Sequence, residues 1–186
     1  MKKLQASNDK TKYALVDDDV FETIKEMNLK FSIQPNGYFR STAEVKFPGM
    51  MKKKRLYLHR FVFTLKTGTE PSSEVDHADI DKLNNQFSNL RLATRKEQQH
   101  NQRKRKDNTS GYIGVNHHHK VKKYYKNGYR DYWLVRIRRP DNKREAKLFQ
   151  YNENGKQHAA MWRDTKARKY FDDFAGELNF PMPSDK

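Results

Sequence analysis

Apolar residues are sparse along this chain, and they gather in short runs between charged stretches. The first run is Tyr13-Ala14-Leu15-Val16. Residues 1–11 before it are polar and are expected to fray. Asp17-Asp18-Asp19 stand where they can cap a helix running to about Met27, with acids at its positive end. Phe31-Ser32-Ile33 and Tyr38-Phe39-Arg40 flank a turn at 34–37 and predict a β-hairpin. Residues 43–47 and 56–58 suggest a second strand pair, interrupted by Pro48-Gly49. Phe61, Val62 and Leu65 recur at helical spacing, so a short helix is expected over residues 59–65, then a loop from Thr67 to Ser73.

The pattern changes after Asn108-Thr109-Ser110-Gly111. Tyr112-Ile113-Gly114-Val115 opens a strand. Trp133, Val135 and Ile137 then alternate with Tyr132, Leu134, Arg136 and Arg138, which predicts a long strand with one face inward. Pro140-Asp141-Asn142-Lys143 makes a turn, and Lys147-Leu148-Phe149 belongs to a third strand. From about Asn154, Ala159, Ala160, Trp162 or Arg163, Ala167 and Tyr170 fall at helical spacings. No internal repeat relates the two halves.

Composition narrows the function classes. The 186 residues suit one large or two small domains, and only 34% are hydrophobic, so the cores must be small. Aromatics make up 12% and supply burial that aliphatics do not. Lys and Arg number 39 against 23 acids, a net charge of +16. That balance points to a polyanion, nucleic acid before membrane. No long apolar run predicts a membrane span, and the polar start does not resemble a signal peptide. Cysteine is absent, which excludes disulfides and Cys-type zinc sites. A cytoplasmic, non-secreted protein is expected.

Chemistry concentrates between Val75 and Thr94. Asp76 and His77 are adjacent, a polar turn with Asp79 and Asp81 follows, and Asn89 stands twelve residues after His77. A carboxylate beside an imidazole offers a hard oxygen for a divalent cation and a group able to take a proton from water. Asn89 cannot act as a base, but its amide can orient an imidazole or hold a turn.

Asp76-His77, the turn from Asp79 to Asn85, Asn89-Leu90-Arg91, and Leu92-Ala93-Thr94 opening a helix together resemble the core of an HNH nuclease. Leu58-His59-Arg60 resembles the signature that precedes the site in that group. The resemblance implies a small ββα-metal domain of phage or mobile-element type that hydrolyses DNA phosphodiesters with Mg²⁺ or Mn²⁺. His77 would be the general base and Asp76 a metal ligand, with Asn89 orienting His77 or pinning its loop. The third motif position, nine residues beyond Asn89, holds Gln98 where the family has His or Asn. Gln98 would be the second ligand, with His100 and Asn101 as substitutes if the helix is shifted. Ile80 replaces the usual Gly, so the turn is expected to differ, since a β-branched residue resists positive φ. His59 can touch a phosphate or be structural.

The second half resembles the three-stranded DNA-binding domain of plant ethylene-response factors and some phage integrases. Ser110–Val115, the Trp133 strand, and Tyr151–Gly155 leading into the Ala-rich helix carry that likeness. The expected class is α+β: a ββα-metal nuclease over 1–101, a basic linker over 102–109, and a three-stranded antiparallel sheet packed on one helix over 110–186. Arg136 and Arg138, with Arg144 and Lys147 across the turn, are candidates for duplex DNA, arginines on guanine and lysines on phosphate. Arg103-Lys104-Arg105-Lys106 is either a solvated linker or a connector lying along a groove. His117 and His119 can converge from alternate strand positions and are read as surface or DNA-facing residues. The partner expected is double-stranded DNA, bound by a monomer, with no membrane and no small-molecule substrate. Nicking of one strand is the expected product. The alternatives are a catalytically impaired DNA-binding protein and an RNA-binding protein of ribosomal type.

Overall fold

The structure is a computed structural model that describes residues 1–48, 50, 52–101, 104–121, 126 and 128–181. The chain divides into two compact units, Met1–Gln98 and Gln99–Lys186.

Unit 1 begins with β1 (Lys2–Gln5), paired antiparallel with β2 (Tyr13–Val16). The start of the chain is therefore a strand and not a frayed end. Leu4 is the one buried residue of β1, too little signal to stand out among its lysines. α1 (Asp18–Glu26) follows, burying Val20 and Ile24, with Asp18 and Asp19 in its first turn. Asp17 occupies the N-cap position, but its carboxylate accepts instead from the distant Phe87 N–H at 2.8 Å.

β3 (Phe31–Ile33) and β4 (Phe39–Ser41) form the expected hairpin. The expected second strand pair does not form. Residues 45 and 54 make an isolated bridge, as do 40 and 57, and Leu58 already belongs to α2 (Leu58–Thr67). α2 buries Leu58, Phe61 and Val62 and stops at Gly68, whose φ of 70° suits a residue without Cβ. Phe61 meets Phe31 edge-on at 5.5 Å, which joins helix and hairpin in one core.

β5 (Glu74–His77) and β6 (Leu90–Ala93) make a two-stranded antiparallel ribbon, and α3 (Arg95–His100) follows. Leu92 and Ala93 thus end a strand and do not open the helix. Thr94 does the opening: its hydroxyl accepts from Glu97 N–H while its own N–H donates to the Glu97 carboxylate, a reciprocal cap.

Unit 2 is a three-stranded antiparallel sheet, β7 (Val115–Val121), β8 (Tyr129–Arg138) and β9 (Arg144–Gln150), with α4 (Glu153–Phe171) on one face. Val115 lies opposite Val135, and Leu134 lies opposite Leu148. Val115, Trp133 and Val135 meet Ala159 and Ala160 of α4. The small alanines let helix and sheet approach closely. At the first turn of α4, Asn152 Oδ1 accepts from Gly155 N–H at 2.7 Å. A Cβ on Gly155 would stand 2.1 Å from the Gln150 carbonyl oxygen, so the position demands glycine.

The basic connector is fastened to unit 2. Lys104 N–H donates to Glu177 Oε2 at 3.0 Å, and Asn108 Oδ1 accepts from Gly111 N–H at 2.8 Å. Buried Asp164 holds the far end of the unit, accepting from Phe180 N–H and Asn179 Nδ2. No helix among the described residues is long and apolar enough to cross a membrane.

Candidate active site

β5 delivers Asp76 and His77 at its end, and a tightly bonded loop returns the chain to β6. Asn89 does not reach His77. Its Nδ2 donates to Asp79 Oδ1 at 2.9 Å and to the Asn84 carbonyl at 2.8 Å, while its Oδ1 accepts from Asp79 N–H. Of its two expected roles, this is the loop-pinning one. Asp79 also accepts from Asn84 Nδ2 and Asp81 N–H, so Asp79 and Asp81 act as turn residues. Ile80 takes a φ of 65°. The expectation that isoleucine would alter the turn is corrected: surrounding bonds hold a β-branched residue in the left-handed region, including Ile80 N–H to the His77 carbonyl at 3.0 Å.

His77 is bonded to Asn85. Its Nε2 lies 3.3 Å from Asn85 Oδ1, and Asn85 Nδ2 donates to the Lys82 carbonyl at 3.1 Å. The amide is thereby oriented with oxygen toward the ring. An amide oxygen only accepts, so Nε2 carries the proton and Nδ1 the lone pair. Burial pushes the His77 pKa down, opposed by the Asn85 bond and then by the charges of Asp79, Asp76 and Asp81. Burial thus favours the neutral imidazole.

Behind His77 lies an aromatic wall. His59 meets its ring edge-on at 5.2 Å, Tyr38 lies 5.9 Å away, and Tyr57 stacks on His59 at 5.7 Å. His59 is only 8% exposed, and burial, then the neighbouring His77, pushes its pKa down to about 3. His59 thus packs against the His77 ring, and both imidazoles are buried, at 8% and 3% exposure. The Tyr38 phenol is shifted upward by burial first and the charge of Asp76 next. Lys82 Nζ lies 4.6 Å above the Tyr38 ring and donates to the Asn36 carbonyl, which ties the β3–β4 hairpin tip to the active loop.

Asp76 faces Arg91, its cross-strand partner. Arg91 Nε and Nη2 approach Asp76 Oδ2 at 3.3 and 3.2 Å, an ion pair of which Asp76 is the more buried half. Gln98 lies on α3, half-buried, its N–H donating to the Thr94 carbonyl. Arg60 fixes the entry to β5 through the carbonyls of Ser73 and Pro71.

Residues 56–100 match the family model of the HNH endonucleases. Searches of curated proteins and of solved structures return no match. The HNH match begins just before α2 and ends with α3, taking in the Asp76–Asn89 loop entire. It supports a nuclease, hence a hydrolase, with DNA as the suggested substrate. The residues before position 56 lie outside the HNH match, yet they bond to the loop that carries Asn85. Leu15 N–H donates to the Leu83 carbonyl at 2.7 Å, and Asn85 N–H donates to the Leu15 carbonyl at 2.8 Å. β2 thus clamps the very loop that positions Asn85.

In unit 2, Arg136, Arg138 and Arg144 are exposed and share the sheet face opposite α4, since Arg138 lies opposite Arg144 in register. Lys147 lies opposite Val135, which faces the helix. Lys147, expected to join the arginines on DNA, is exposed on the other side of the sheet from them, its Nζ 5.3 Å above the Phe149 ring. His117 and His119 also belong to the helix-side register and converge on Asp131 Oδ1 at 2.9 and 2.8 Å. Lys104, Arg105 and Lys106 are exposed on the connector; Arg103 falls outside the described residues.

Sequence reasoning missed Asn85, Tyr38 and Arg91 as site residues. Arg91 was legible in principle, because an antiparallel return from Asp76 puts it opposite. Nothing in one sequence separates Asn85 from Asn84, and Tyr38 reaches the site through the core.

Proposed function

We propose that this chain is a divalent-metal-dependent DNA endonuclease of the HNH kind, with a ββα-metal site in unit 1 and a duplex-binding sheet in unit 2. The observation that carries the reading is His77, buried and bonded to Asn85, beside Asp76 within the HNH-matched segment.

Asp76 and Gln98 would hold Mg²⁺ or Mn²⁺. Their oxygens are hard donors of the type these ions take, and Mg²⁺ commonly binds one or two protein oxygens together with water and substrate phosphate. Among the described residues no three His, Cys, Asp or Glu side chains form a metal cluster, so the substrate would complete the coordination. When bound, the ion supplies charge stabilisation at the phosphate and at the departing oxygen.

His77 Nδ1 takes a proton from the attacking water, while Asn85 stabilises the resulting cation through Nε2–H. The water oxygen bonds to phosphorus, the bond to the 3′ oxygen breaks, and that oxygen takes a proton from solvent water, so the products are a 3′-hydroxyl and a 5′-phosphate. Arg91 sets the rotamer of Asp76, and Tyr38 with His59 closes the apolar side of the imidazole. One such site cuts one strand, so nicking is the product of a monomer. Arg136, Arg138 and Arg144, together with Lys104, Arg105 and Lys106, would bind the duplex.

The alternative is a DNA-binding protein with an impaired site. Gln98 and the Arg91–Asp76 ion pair favour it, since a longer amide and a competing cation both weaken metal binding. Supercoiled plasmid incubated with Mg²⁺ or Mn²⁺ decides between them. Open circles that need metal and vanish in His77→Ala support the endonuclease. A gel shift without nicking under either metal supports the binder.

A further inference from the structure

Unit 2 contains a concavity of about 490 Å³ that the nuclease reading leaves unused. It lies where the sheet loses a strand. β7 pairs with β8 only as far as Val115 opposite Val135, so Arg136, Ile137 and Arg138 run past the end of β7. The segment from Lys104 to Gly114 lines the space instead.

The walls have two chemistries. Arg105, Arg136 and Arg138 line the cavity together with Asp107, and the three arginine side chains make no hydrogen bond or ion pair among the described residues. Arg136 and Arg138 project on the sheet face opposite α4, so they stand along the rim of the cavity at the free edge of β8. Guanidinium groups without internal partners along one rim create a field that an anion relieves, and their fork suits phosphate oxygens. The second wall is aromatic. The rings of His100 and Phe171 are stacked, 3.7 Å apart and 15° from parallel, and both line the same cavity.

The rim is held by bonds within unit 2. Asn108 receives Gly111 N–H and donates to the Tyr112 carbonyl. Asn179 brackets Ile113 through both its N–H and its carbonyl. The volume falls in the range typical of small-ligand sites and exceeds what a lone phosphate requires.

We infer that this concavity binds a nucleotide carrying a 5′-phosphate, with the phosphate on Arg105, Arg136 and Arg138 and the base against the His100–Phe171 ring pair. Such a group is what the proposed cleavage leaves at the cut strand. The inference rests on that reading for the source of the ligand; the site itself does not depend on it. Unit 2 would then hold a freshly cut end as well as intact duplex.

Calorimetric titration of the full chain tests it with dAMP, inorganic phosphate and deoxyadenosine. We expect dAMP to bind at least about tenfold more tightly than phosphate, as one stacked base allows, and deoxyadenosine to show no saturation. Arg136→Ala combined with Arg138→Ala abolishes binding of dAMP and phosphate. His100→Ala brings dAMP down to the level of phosphate, and His100→Phe, which keeps a ring beside Phe171, retains it. In His77→Ala protein, a short single strand with a 5′-phosphate outcompetes its 5′-hydroxyl twin if the site takes strand ends; equal competition with dAMP still binding restricts the ligand to the free nucleotide. Equal affinity for dAMP and phosphate, or no binding of dAMP, overturns the inference. Binding of dAMP without plasmid nicking keeps this site and removes the nuclease reading; nicking without dAMP binding does the reverse.

Discussion

Asn84 and Asn85 are neighbours of identical chemistry that serve different parts of the site. Asn84 Nδ2 bonds Asp79 and braces the loop, whereas Asn85 Oδ1 receives the Nε2 proton of His77. Removing that acceptor frees the ring to adopt the other tautomer. Asn85→Ala is expected to slow nicking about 10- to 100-fold, the usual cost of losing a partner that orients an active group. DNA affinity measured by gel shift should stay unchanged, and a matching loss of affinity would show that Asn85 acts on binding.

His59 makes a prediction about stability. Its folded pKa is depressed to about 3 from an ordinary 6.5. Between those values the unfolded chain binds the extra proton and the folded one does not. Stability is therefore whole above pH 6.5 and falls as the solution is acidified, by about 1.4 kcal/mol per pH unit. At pH 5 the loss from this residue is about 2 kcal/mol, and His77, shifted the same way, adds to it. Urea unfolding at pH 7.5 and pH 5 measures the difference, and His59→Phe should remove most of its own share. An unchanged slope in that variant would mean His59 is hydrated in the folded protein.

At the scale of elements, register decides which cations could meet DNA if unit 2 binds it as proposed. Arg138 lies on the open face, opposite Arg144, while Lys147 shares the side of Val135 and α4. Arg138→Ala should weaken duplex binding and lower the magnitude of its salt slope by about 1 if the contact is to phosphate. Lys147→Ala should change neither. Binding isotherms at several salt concentrations separate them, and an equal loss from Lys147 would put the duplex on the other side of the sheet.

The elements that were legible beforehand are those whose signal is local. β8 alternates over ten residues, and the Ala-rich face of α4 repeats over nineteen. β1 escaped because its partner lies across a polar turn and only Leu4 turns inward. Residues 43–47 and 56–58 have strand-like composition, yet the chain there makes single bridges, because Tyr57 and Leu58 are committed to the start of α2. In the site, Asp76 and His77 stood out as adjacent reactive types. Asn85 and Tyr38 did not, since their roles arise from where the loop and the hairpin come to rest.

Across the whole molecule, the nuclease match and the folding unit differ in extent. The match covers residues 56–100, while the compact unit runs from Met1 to Gln98. Phe31 and Phe39, buried to 1% exposure, come from before the match. A peptide of residues 56–100 should be unfolded by circular dichroism, whereas 1–98 should melt cooperatively. Cooperative melting of the short peptide would show that the first 55 residues are dispensable to the fold.

The clamp of β2 on the active loop carries a consequence for transplantation. Leu15 offers its N–H and its carbonyl to Leu83 and Asn85, so the geometry around His77 is set partly by main-chain atoms, whose contribution is independent of side-chain identity. A hybrid enzyme that borrows every signature residue from this chain but takes its opening strands from elsewhere would inherit the reactive groups without their alignment. The unit to transplant is the opening strand pair and the motif together.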